Sequence, residues 1–571
     1  MGDGRARIAK GYVQTAMGTV HYRRAGEGPP VVLLHDSPRS SLLHLPLLGT
    51  LSDRFTVFAL DTPGYGGSDP LTLAPGMAGR EPIIADFALA LERTLAALGI
   101  GRAAFYACHT SSKILLDFAV RWPARVGVAV LDGLSIPTGE PDAGFIGRYM
   151  RPFDMDAEGA WLAREWTRVK DTVRWFPWFA ADPSTRMPID MPSMEEMQAY
   201  CLDYFRAGPR YADAYRAAMR HNPLDNVARV TAPVVYAARA DDVLFPCLDL
   251  LPPHCRIERL PADRAAWLAA IGDHLTAGAG AQPYQPPPAA GAADPPAGRL
   301  YVDLPHGQVR LYRFGQPGDA RPVLVLHDPP GGAAADTPLL RALGKRRLVL
   351  APDLPGCGQS DALPVASLAA YAETLAELLR ALAIGPVDLV AEGMATPIAL
   401  AVMAAHPGCV GAAVLDGVML PDDTLRADMA RRYCPPLVLS ASGAHWQEVW
   451  HLLRDREAQF PWYDGAASAI RGRTPDMSVD RLRSLLLDVM AQPARYGDAV
   501  HVAVSRDVRP LLPQVGHPVL LCADPGDPRQ GWSTGAAAVL PRGTVGPRPA
   551  SPEARAGLYL DYFERVNDAT S

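Results

Sequence analysis

Residues 103–121 read AAFYACHTSSKILLDFAVR, an apolar run followed by a turn and a helical pattern. The run at 103–107 is short and flanked by a change of pattern, which predicts a buried strand. Apolar residues spaced as on one face of a helix over 112–121 predict a helix. The chain must therefore turn sharply between a strand and a helix near His109.

Short apolar runs and helical patterns alternate through the rest of the first half. Predicted strands lie at 31–34, 56–60, 128–131 and 234–237, and another helix at 83–98. Such alternation indicates an α/β fold with a parallel sheet covered on both faces. Between residues 132 and 233 the sequence is instead rich in Trp, Tyr, Phe and Met and mostly helical. We interpret this segment as a lid inserted above the sheet.

The motifs of the first half recur in the second. His35-Asp36 follows an apolar run and returns as His327-Asp328, 292 positions later. DTPGYGGSD at 61–69 returns with the same offset as DLPGCGQSD at 353–361. Such self-similarity within one chain indicates a tandem duplication of one domain.

A segment rich in Pro, Ala and Gly separates the two copies. TAGAGAQPYQPPPAAGAADPPAGR, residues 276–299, has too few large apolar side chains to bury a core and is predicted to be a linker. The predicted domains are 1–275, with a lid at about 134–230, and 300–571, with a lid at about 418–515.

Composition favours a folded protein that acts on a small molecule. Hydrophobic residues make up 49% and charged residues 20%, as in ordinary globular proteins. The net charge is −6 without blocks of like charge, so no nucleic-acid or membrane partner is expected. Eight Cys without a C-x-x-C pair and an N-terminus without an apolar signal segment predict a cytoplasmic protein. No metal and no cofactor is expected.

Together these motifs resemble the α/β-hydrolase superfamily, over nearly all of both halves. The resemblance rests on the His-Asp pair, where the family usually has His-Gly, on the Asp-x-Pro-Gly-x-Gly-x-Ser-Asp loop, on the strand–turn–helix unit, and on Asp242 after a late strand. It implies tandem α/β-hydrolase folds, each a mostly parallel sheet flanked by helices with a helical lid insertion.

The family carries its nucleophile on the strand-to-helix turn, called the elbow, between small residues. In relatives a Pro follows fourteen residues after the nucleophile. Counting back from Pro123 gives His109, and from Pro407 gives Gly393. A register one residue later would offer Thr110. Neither half has the usual Ser, Cys or Asp, and no histidine stands where the resemblance would put the triad histidine.

The resemblance then implies roles for residues around His109. The imidazole is expected to be a general base or nucleophile with a pKa near neutrality. Asp242, or alternatively Asp132, would orient it. Backbone N–H groups of Thr110 and of Asp36 or Ser37 would form the oxyanion hole, which stabilises the negative oxygen of a tetrahedral intermediate.

Aromatic and cationic lid residues are candidates for substrate binding. They are Arg148, Tyr149, Trp175 and Trp178. Aromatic side chains can enclose an apolar substrate, and Arg148 could bind an anionic group.

Three functions follow as hypotheses. The first is hydrolysis of an ester, lactone or amide in a small substrate by the first domain. The second is a lyase, isomerase or cyclase reaction in which His109 moves a proton. The third is a binding or scaffold protein with two inactive folds. The second domain is predicted to be catalytically silent and to pack on the first within the chain, and a homo-oligomer is left open.

Overall fold

The computed structural model describes residues 7–74, 76–77, 79–139, 142–287 and 297–568. The chain divides into two compact units. The first contains Met1–Asp154 and Arg164–Ala292, and the second contains Met155–Ala163 and Ala293–Ser571. A short segment of the predicted first lid is thus counted with the second unit.

The predicted linker at 276–299 differs from the structure at both ends. A helix continues to Gly278 and a strand begins at Ala297. Tyr284 also packs on the first unit: its hydroxyl donates to the Leu98 carbonyl at 2.8 Å. Residues 288–296 of the predicted linker lie outside the described residues.

The first half contains one eight-stranded sheet with helices between its strands and after the last one. The strands are β1 (Ala9–Thr15), β2 (Gly18–Ala25), β3 (Pro30–Leu34), β4 (Thr56–Leu60), β5 (Ala103–Cys108), β6 (Val126–Asp132), β7 (Val234–Arg239) and β8 (Ile257–Leu260). The α-helices are α1 (Leu45–Leu51), α2 (Ile84–Ala97), α3 (Thr110–Arg121), α4 (Ala143–Tyr149), α5 (Ala160–Thr172), α6 (Met194–Ala207), α7 (Ala212–Arg220), α8 (Leu224–Arg229) and α9 (Arg264–Gly278).

The second half repeats this arrangement. The strands are β9 (Ala297–Leu304), β10 (Gly307–Phe314), β11 (Val323–Leu326), β12 (Val349–Pro352), β13 (Val387–Glu392), β14 (Val410–Asp416), β15 (Val519–Ala523) and β16 (Gly543–Pro547). The α-helices are α10 (Thr337–Gly344), α11 (Leu368–Ala381), α12 (Thr396–Ala405), α13 (Asp423–Arg432), α14 (Ala444–Ala458), α15 (Val479–Met490), α16 (Asp498–Val504), α17 (Gln530–Val539) and α18 (Pro552–Asp568).

The two sheets have the same strand order. The first reads β1-β2-β4-β3-β5-β6-β7-β8 and the second β9-β10-β12-β11-β13-β14-β15-β16. In each, the first two strands pair antiparallel and the remaining strands run parallel. Equal topology in both halves agrees with the duplication inferred from the motifs, and the predicted tandem α/β fold is confirmed.

The central strands are apolar because both of their faces are covered. Every residue of β5 is buried, with helices on either side of the sheet. On one face Val31 and Val57 join a cluster that includes Leu275 of α9. Parallel strands end at the same edge of a sheet, so the loops after β3, β5, β6 and β7 meet there.

Each half carries its helical insertion at the same point of the sheet. Helices α4–α8 lie between β6 and β7, and helices α13–α16 lie between β14 and β15. The insertions therefore extend from the edge where the catalytic loops of such folds meet. None of the helices in the described part of the chain has the length and apolar character needed to span a membrane.

Candidate active site

His109 forms the tip of the turn between β5 and α3. Its φ is 48° and its ψ is −110°, a conformation that is strained for any residue with a side chain. The N–H of His109 donates to the Asp132 carbonyl at 2.9 Å, and the N–H of Ser112 donates to the His109 carbonyl at 3.0 Å. This positive φ is the backbone geometry that the sequence register predicts at the elbow tip, with Thr110 already in the helix.

The imidazole of His109 is paired with Asp242. Nε2 of the ring lies 2.7 Å from Oδ2 of the carboxylate. The other carboxylate oxygen accepts the N–H of Leu244 at 2.8 Å, which fixes the group in the loop after β7. The ring lies against Gly133, where an added Cβ would be only 2.9 Å from Nε2, so a larger residue would displace it.

Charges around His109 raise its pKa to about 9. Burial favours the neutral ring, but the nearby carboxylate of Asp242 outweighs it, with smaller contributions from Asp36 and Asp132. The pKa of Asp242 is lowered, since the attraction of His109 outweighs its burial. The value for His109 lies above the near-neutral one expected from the sequence, because three carboxylates surround a single imidazole.

Asp132 has a different set of partners. One of its carboxylate oxygens, Oδ2, accepts hydrogen bonds from the Tyr106 hydroxyl at 2.8 Å and from Nε1 of Trp267 at 3.0 Å. Burial raises the pKa of this carboxyl group. Of the two acids proposed to orient His109, Asp242 makes the contact and Asp132 holds the aromatic side chains beneath the elbow.

The backbone after β3 is held in place by His35. Its Nε2 accepts the N–H of Thr62 at 2.9 Å, and Nδ1 lies 2.7 Å from the Asp36 carbonyl. The histidine of the His-Asp pair therefore connects two loops. It fixes the segment containing Asp36 and Ser37, whose backbone N–H groups remain candidates for the oxyanion hole beside that of Thr110.

Hydroxyl groups next to the elbow are already engaged. The Ser111 hydroxyl donates to the His35 carbonyl, and the Ser112 hydroxyl donates to the Ala107 carbonyl at 3.0 Å. Both serines are buried. Neither is arranged as a free nucleophile.

Two of the four predicted substrate-binding residues lie together. Nε1 of Trp178 donates to the Tyr149 carbonyl at 3.0 Å, and both residues line a cavity of about 20 Å³. Tyr200, Tyr215 and Arg168 line it as well. These three residues were not predicted from the sequence, although the aromatic content of α6 and α7 was a signal for the two tyrosines.

The other two predicted substrate-binding residues are placed elsewhere. Arg148 is exposed and its guanidinium stacks on Phe179 at 4.7 Å. Trp175 is covered by Arg186 at 5.6 Å. Neither lines the cavity with Tyr149, because each side chain is paired with a neighbour on the surface of the insertion.

The second elbow has Gly393 at its tip, with φ 49°. The N–H of the next residue, Met394, donates to Oδ1 of Asp328 at 2.8 Å. A cavity of about 900 Å³ lies above this turn, within the second unit. Glu392, the residue before the tip, lines this cavity. The cavity was not predicted from the sequence, because the second half lacks the catalytic residues that would have indicated a site.

No group of three or more His, Cys, Asp or Glu side chains is arranged to hold a metal ion in the described ranges. The first elbow presents the His109–Asp242 pair and the surrounding backbone donors.

Comparison with known proteins identifies the class of fold. Residues 321–462 match the family model for the alpha/beta hydrolase fold. A proline iminopeptidase of Heyndrickxia coagulans is 29% identical over 134 residues, which are 23% of this chain and 46% of that protein. Haloalkane dehalogenase 2 of Mycobacterium tuberculosis is 36% identical over 58 residues, 10% of this chain and 20% of that protein. The chain thus spans less than half the length of these curated relatives.

Among solved structures, epoxide hydrolase A of Mycobacterium thermoresistibile is similar to 48% of this chain over 100% of its own length, with 22% identity and a TM-score of 0.37. The strand order and the family match define a protein of the α/β-hydrolase fold. The chain carries this fold twice, and residues 321–462 of the second copy match the family model.

Proposed function

We propose that the first unit hydrolyses an ester, lactone or amide bond in a small organic substrate, without a cofactor and with His109 as general base. The observation that carries this proposal is the 2.7 Å contact between His109 and Asp242 at the elbow tip. The side chain of His109 is 37% exposed, so a substrate can reach it.

The geometry supports water activation rather than a covalent intermediate. In neutral His109, the Nε2 proton is donated to Asp242, and the lone pair of Nδ1 is free to accept a proton from water. The resulting hydroxide attacks the carbonyl carbon. Backbone N–H groups of Thr110 and of the loop after β3 stabilise the oxyanion, and the proton on Nδ1 then passes to the leaving group.

A pH–rate profile of the full chain with p-nitrophenyl acetate tests this proposal. Because the pKa of His109 is raised to about 9, only the small neutral fraction works at neutral pH. After subtraction of spontaneous hydrolysis, kcat/KM should rise about tenfold per pH unit and level off near pH 9.

A matched pair of variants separates His109 from other histidines. His109→Gln should reduce kcat/KM by about 10²–10⁴-fold. His274→Gln, which alters a histidine on α9 beside Glu258, should leave it unchanged. Equal activity of both variants would place the chemistry elsewhere.

The raised pKa of His109 also favours a second candidate. A protonated imidazole at neutral pH is a general acid, as a lyase, isomerase or cyclase reaction could require. Such an activity would fall above pH 9 instead of rising. The direction of the pH profile therefore discriminates between the two reaction classes.

We further propose a cytoplasmic location. All eight cysteines are free thiols, and five of them are buried. Thiols in this number are typical of a reducing compartment.

A further inference from the structure

The cavity above the second elbow has an arginine where the first unit has its histidine. In the first unit, His109 lies against Gly133 and pairs with Asp242. In the second, Nη1 of Arg529 lies 3.0 Å from where a Cβ of Gly417 would be. Gly417 and Asp527 are the counterparts of Gly133 and Asp242 in the repeat. A permanent cation thus takes the place of a titratable one.

Asp527 holds this arginine in a fixed plane. Nε and Nη2 of Arg529 donate to the two carboxylate oxygens at 2.9 and 3.0 Å. The side chain of Arg529 is only 7% exposed, and it lines the cavity. Nη1 has no hydrogen-bond acceptor among the residues described, so its two protons are available to a ligand.

Arg548 also presents unused donors to the cavity. Its Nε donates to both oxygens of Asp416, at 2.8 and 2.7 Å. Nη1 lies 3.9 Å from Oδ2 of Asp524, and Nη2 lies 4.0 Å from Oε2 of Glu392. These separations exceed a hydrogen bond, whereas a planar oxyanion could be bound by both nitrogens.

Arg473 is the third arginine whose guanidinium has an N–H group without a hydrogen-bond acceptor among the described residues. Nη2 donates to Glu457 at 2.8 Å, while the buried Nε has no partner in the described part of the chain. Glu457 is also 3.8 Å from Arg481, so it keeps a cationic neighbour without Arg473. Arg473 can therefore be exchanged without leaving a bare carboxylate.

The guanidinium groups crowd one another. Burial, together with Arg529 and Arg473, lowers the pKa of Arg471 to about 10. Burial also lowers the pKa of Arg473, and Arg548 and Arg529 add to that effect. Neighbouring carboxylates raise the pKa of Arg529 and Arg548, so both stay charged, whereas an anion beside Arg473 would reduce the repulsion that this arginine experiences from them.

The carboxylates of Asp416 and Asp527 accept hydrogen bonds from Arg548 and Arg529, and Asp328 accepts the N–H of Met394. The backbone N–H that follows the elbow tip, a possible donor to an anion, is thus already hydrogen-bonded. Gly393 supplies no side chain that could attack a substrate.

We propose that the cavity of the second unit binds, without turnover, a small organic anion bearing a carboxylate or phosphate group, through Arg473, Arg529 and Arg548. The volume of about 900 Å³ is within the range of pockets for such molecules. This goes beyond the hydrolysis proposed for the first unit and does not depend on it.

Calorimetric titration of the full chain at constant ionic strength tests the site with two probes, succinate and inorganic phosphate. At least one of the two anions should bind. The anion with the lower dissociation constant shows whether the site prefers a carboxylate or a phosphate group. Succinamide, which has no charge, should not bind. Absence of binding by both anions up to about 10 mM would overturn the proposal, since that limit excludes any useful affinity.

Variants locate the binding. Arg473→Gln should weaken the dissociation constant at least about tenfold, as expected for a charge-assisted hydrogen bond. Arg346→Gln is the matched control, because Arg346, in the turn after α10, makes exposed hydrogen bonds to Asp561 and Glu564 of α18. Equal affinity of Arg473→Gln and wild type would overturn the assignment.

Two further variants keep the test decisive. Ser484 lines the cavity, so Ser484→Phe should weaken binding by filling space while every charge is retained. If Arg473→Gln does not fold, Ser484→Phe still tests whether the anion binds in this cavity. Unchanged affinity in Ser484→Phe would contradict the proposal. His109→Gln should bind the anion like wild type, so loss of hydrolysis and loss of anion binding remain distinguishable.

Discussion

Oδ1 of Asp328 accepts the backbone N–H of Met394 at 2.8 Å, directly after the glycine at the tip of the second elbow. A Cβ on Gly393 would lie 2.5 Å from Cγ of the same carboxyl group, far inside van der Waals contact. Asp328 therefore occupies the space into which an elbow side chain would project.

Gly393→Ser should therefore destabilise the second unit and create no esterase activity. The positive φ costs about 1–3 kcal/mol for a residue with a side chain, and the clash with Asp328 adds to it. Chemical denaturation measures the first effect and p-nitrophenyl acetate hydrolysis the second. The double variant Asp328→Gly, Gly393→Ser should recover part of the stability. A stable, hydrolytic Gly393→Ser would refute this account of the elbow.

Asp242 should control the titration of His109. In wild type the imidazole NMR signal of His109 should titrate with a midpoint near pH 9. Asp242→Asn removes the main stabilising charge while burial remains, so the midpoint should fall by two or more pH units. Asp132→Asn is the comparison, and it should shift the midpoint less because Asp132 contacts Tyr106 and Trp267 instead. A larger effect of Asp132→Asn would reverse the assignment of the orienting acid.

Glu457 should make the second unit sensitive to acid. Burial alone would raise its pKa, but Arg481, Arg473 and other arginines lower it from 4.5 to about 2. The stabilisation is therefore complete above pH 4.5 and is lost as pH falls towards 2. Glu457→Gln should lower the free energy of unfolding by about 3 kcal/mol at pH 7 and by much less at pH 2.5.

The control for this pH dependence is Glu553→Gln, which alters an exposed glutamate in the first turn of α18. It should change the unfolding free energy little at either pH. A deficit of Glu457→Gln that is the same at pH 7 and pH 2.5 would show that the carboxylate charge is not the source of the stabilisation.

Tyr284 should stabilise the first unit although it lies in the predicted linker. Its ring packs edge-on against Phe58 at 5.0 Å, and its N–H donates to the Gly28 carbonyl at 2.8 Å. Tyr284→Ala should lower the unfolding free energy by about 1–3 kcal/mol, measured by denaturant titration. Gln285→Ala, one residue further on, is the control. If both variants unfold like wild type, the segment does not contribute to the core.

The sequence predicted the fold well because its signals are local. Apolar runs such as 56–60 coincide with β4, since a strand buried on both faces has to be apolar throughout. The glycine at the second elbow and the histidine at the first both have positive φ, as the register from Pro407 and Pro123 indicated. These features depend on neighbours close in the chain.

The site was harder to predict because its members come from distant segments. Asp132 ends β6 and Asp242 follows the adjacent β7, so the sequence alone does not show which of them pairs with His109. Only the tertiary structure shows that Asp132 accepts a hydrogen bond from Trp267 instead. The arginine cluster was missed for a related reason. Arg473, Arg529 and Arg548 lie in three separate loops, and only Arg529 is close to a residue of the repeat, Asp527. The comparison of the two copies shows which catalytic residues are lost but does not indicate which new cations meet in space.

His327 has the same role as His35, since its Nε2 accepts the N–H of Leu354 at 3.0 Å. An acceptor nitrogen carries no proton, so both rings must be the tautomer protonated on Nδ1. In His35 the Nδ1–H group donates a hydrogen bond to the Asp36 carbonyl, 2.7 Å away. The buried Nδ1 of His327 has no acceptor among the described residues. The duplicated loop thus keeps its geometry with one hydrogen bond fewer. An asparagine at 327, whose shorter amide would leave no unsatisfied ring nitrogen, would be a milder exchange than the same change at 35.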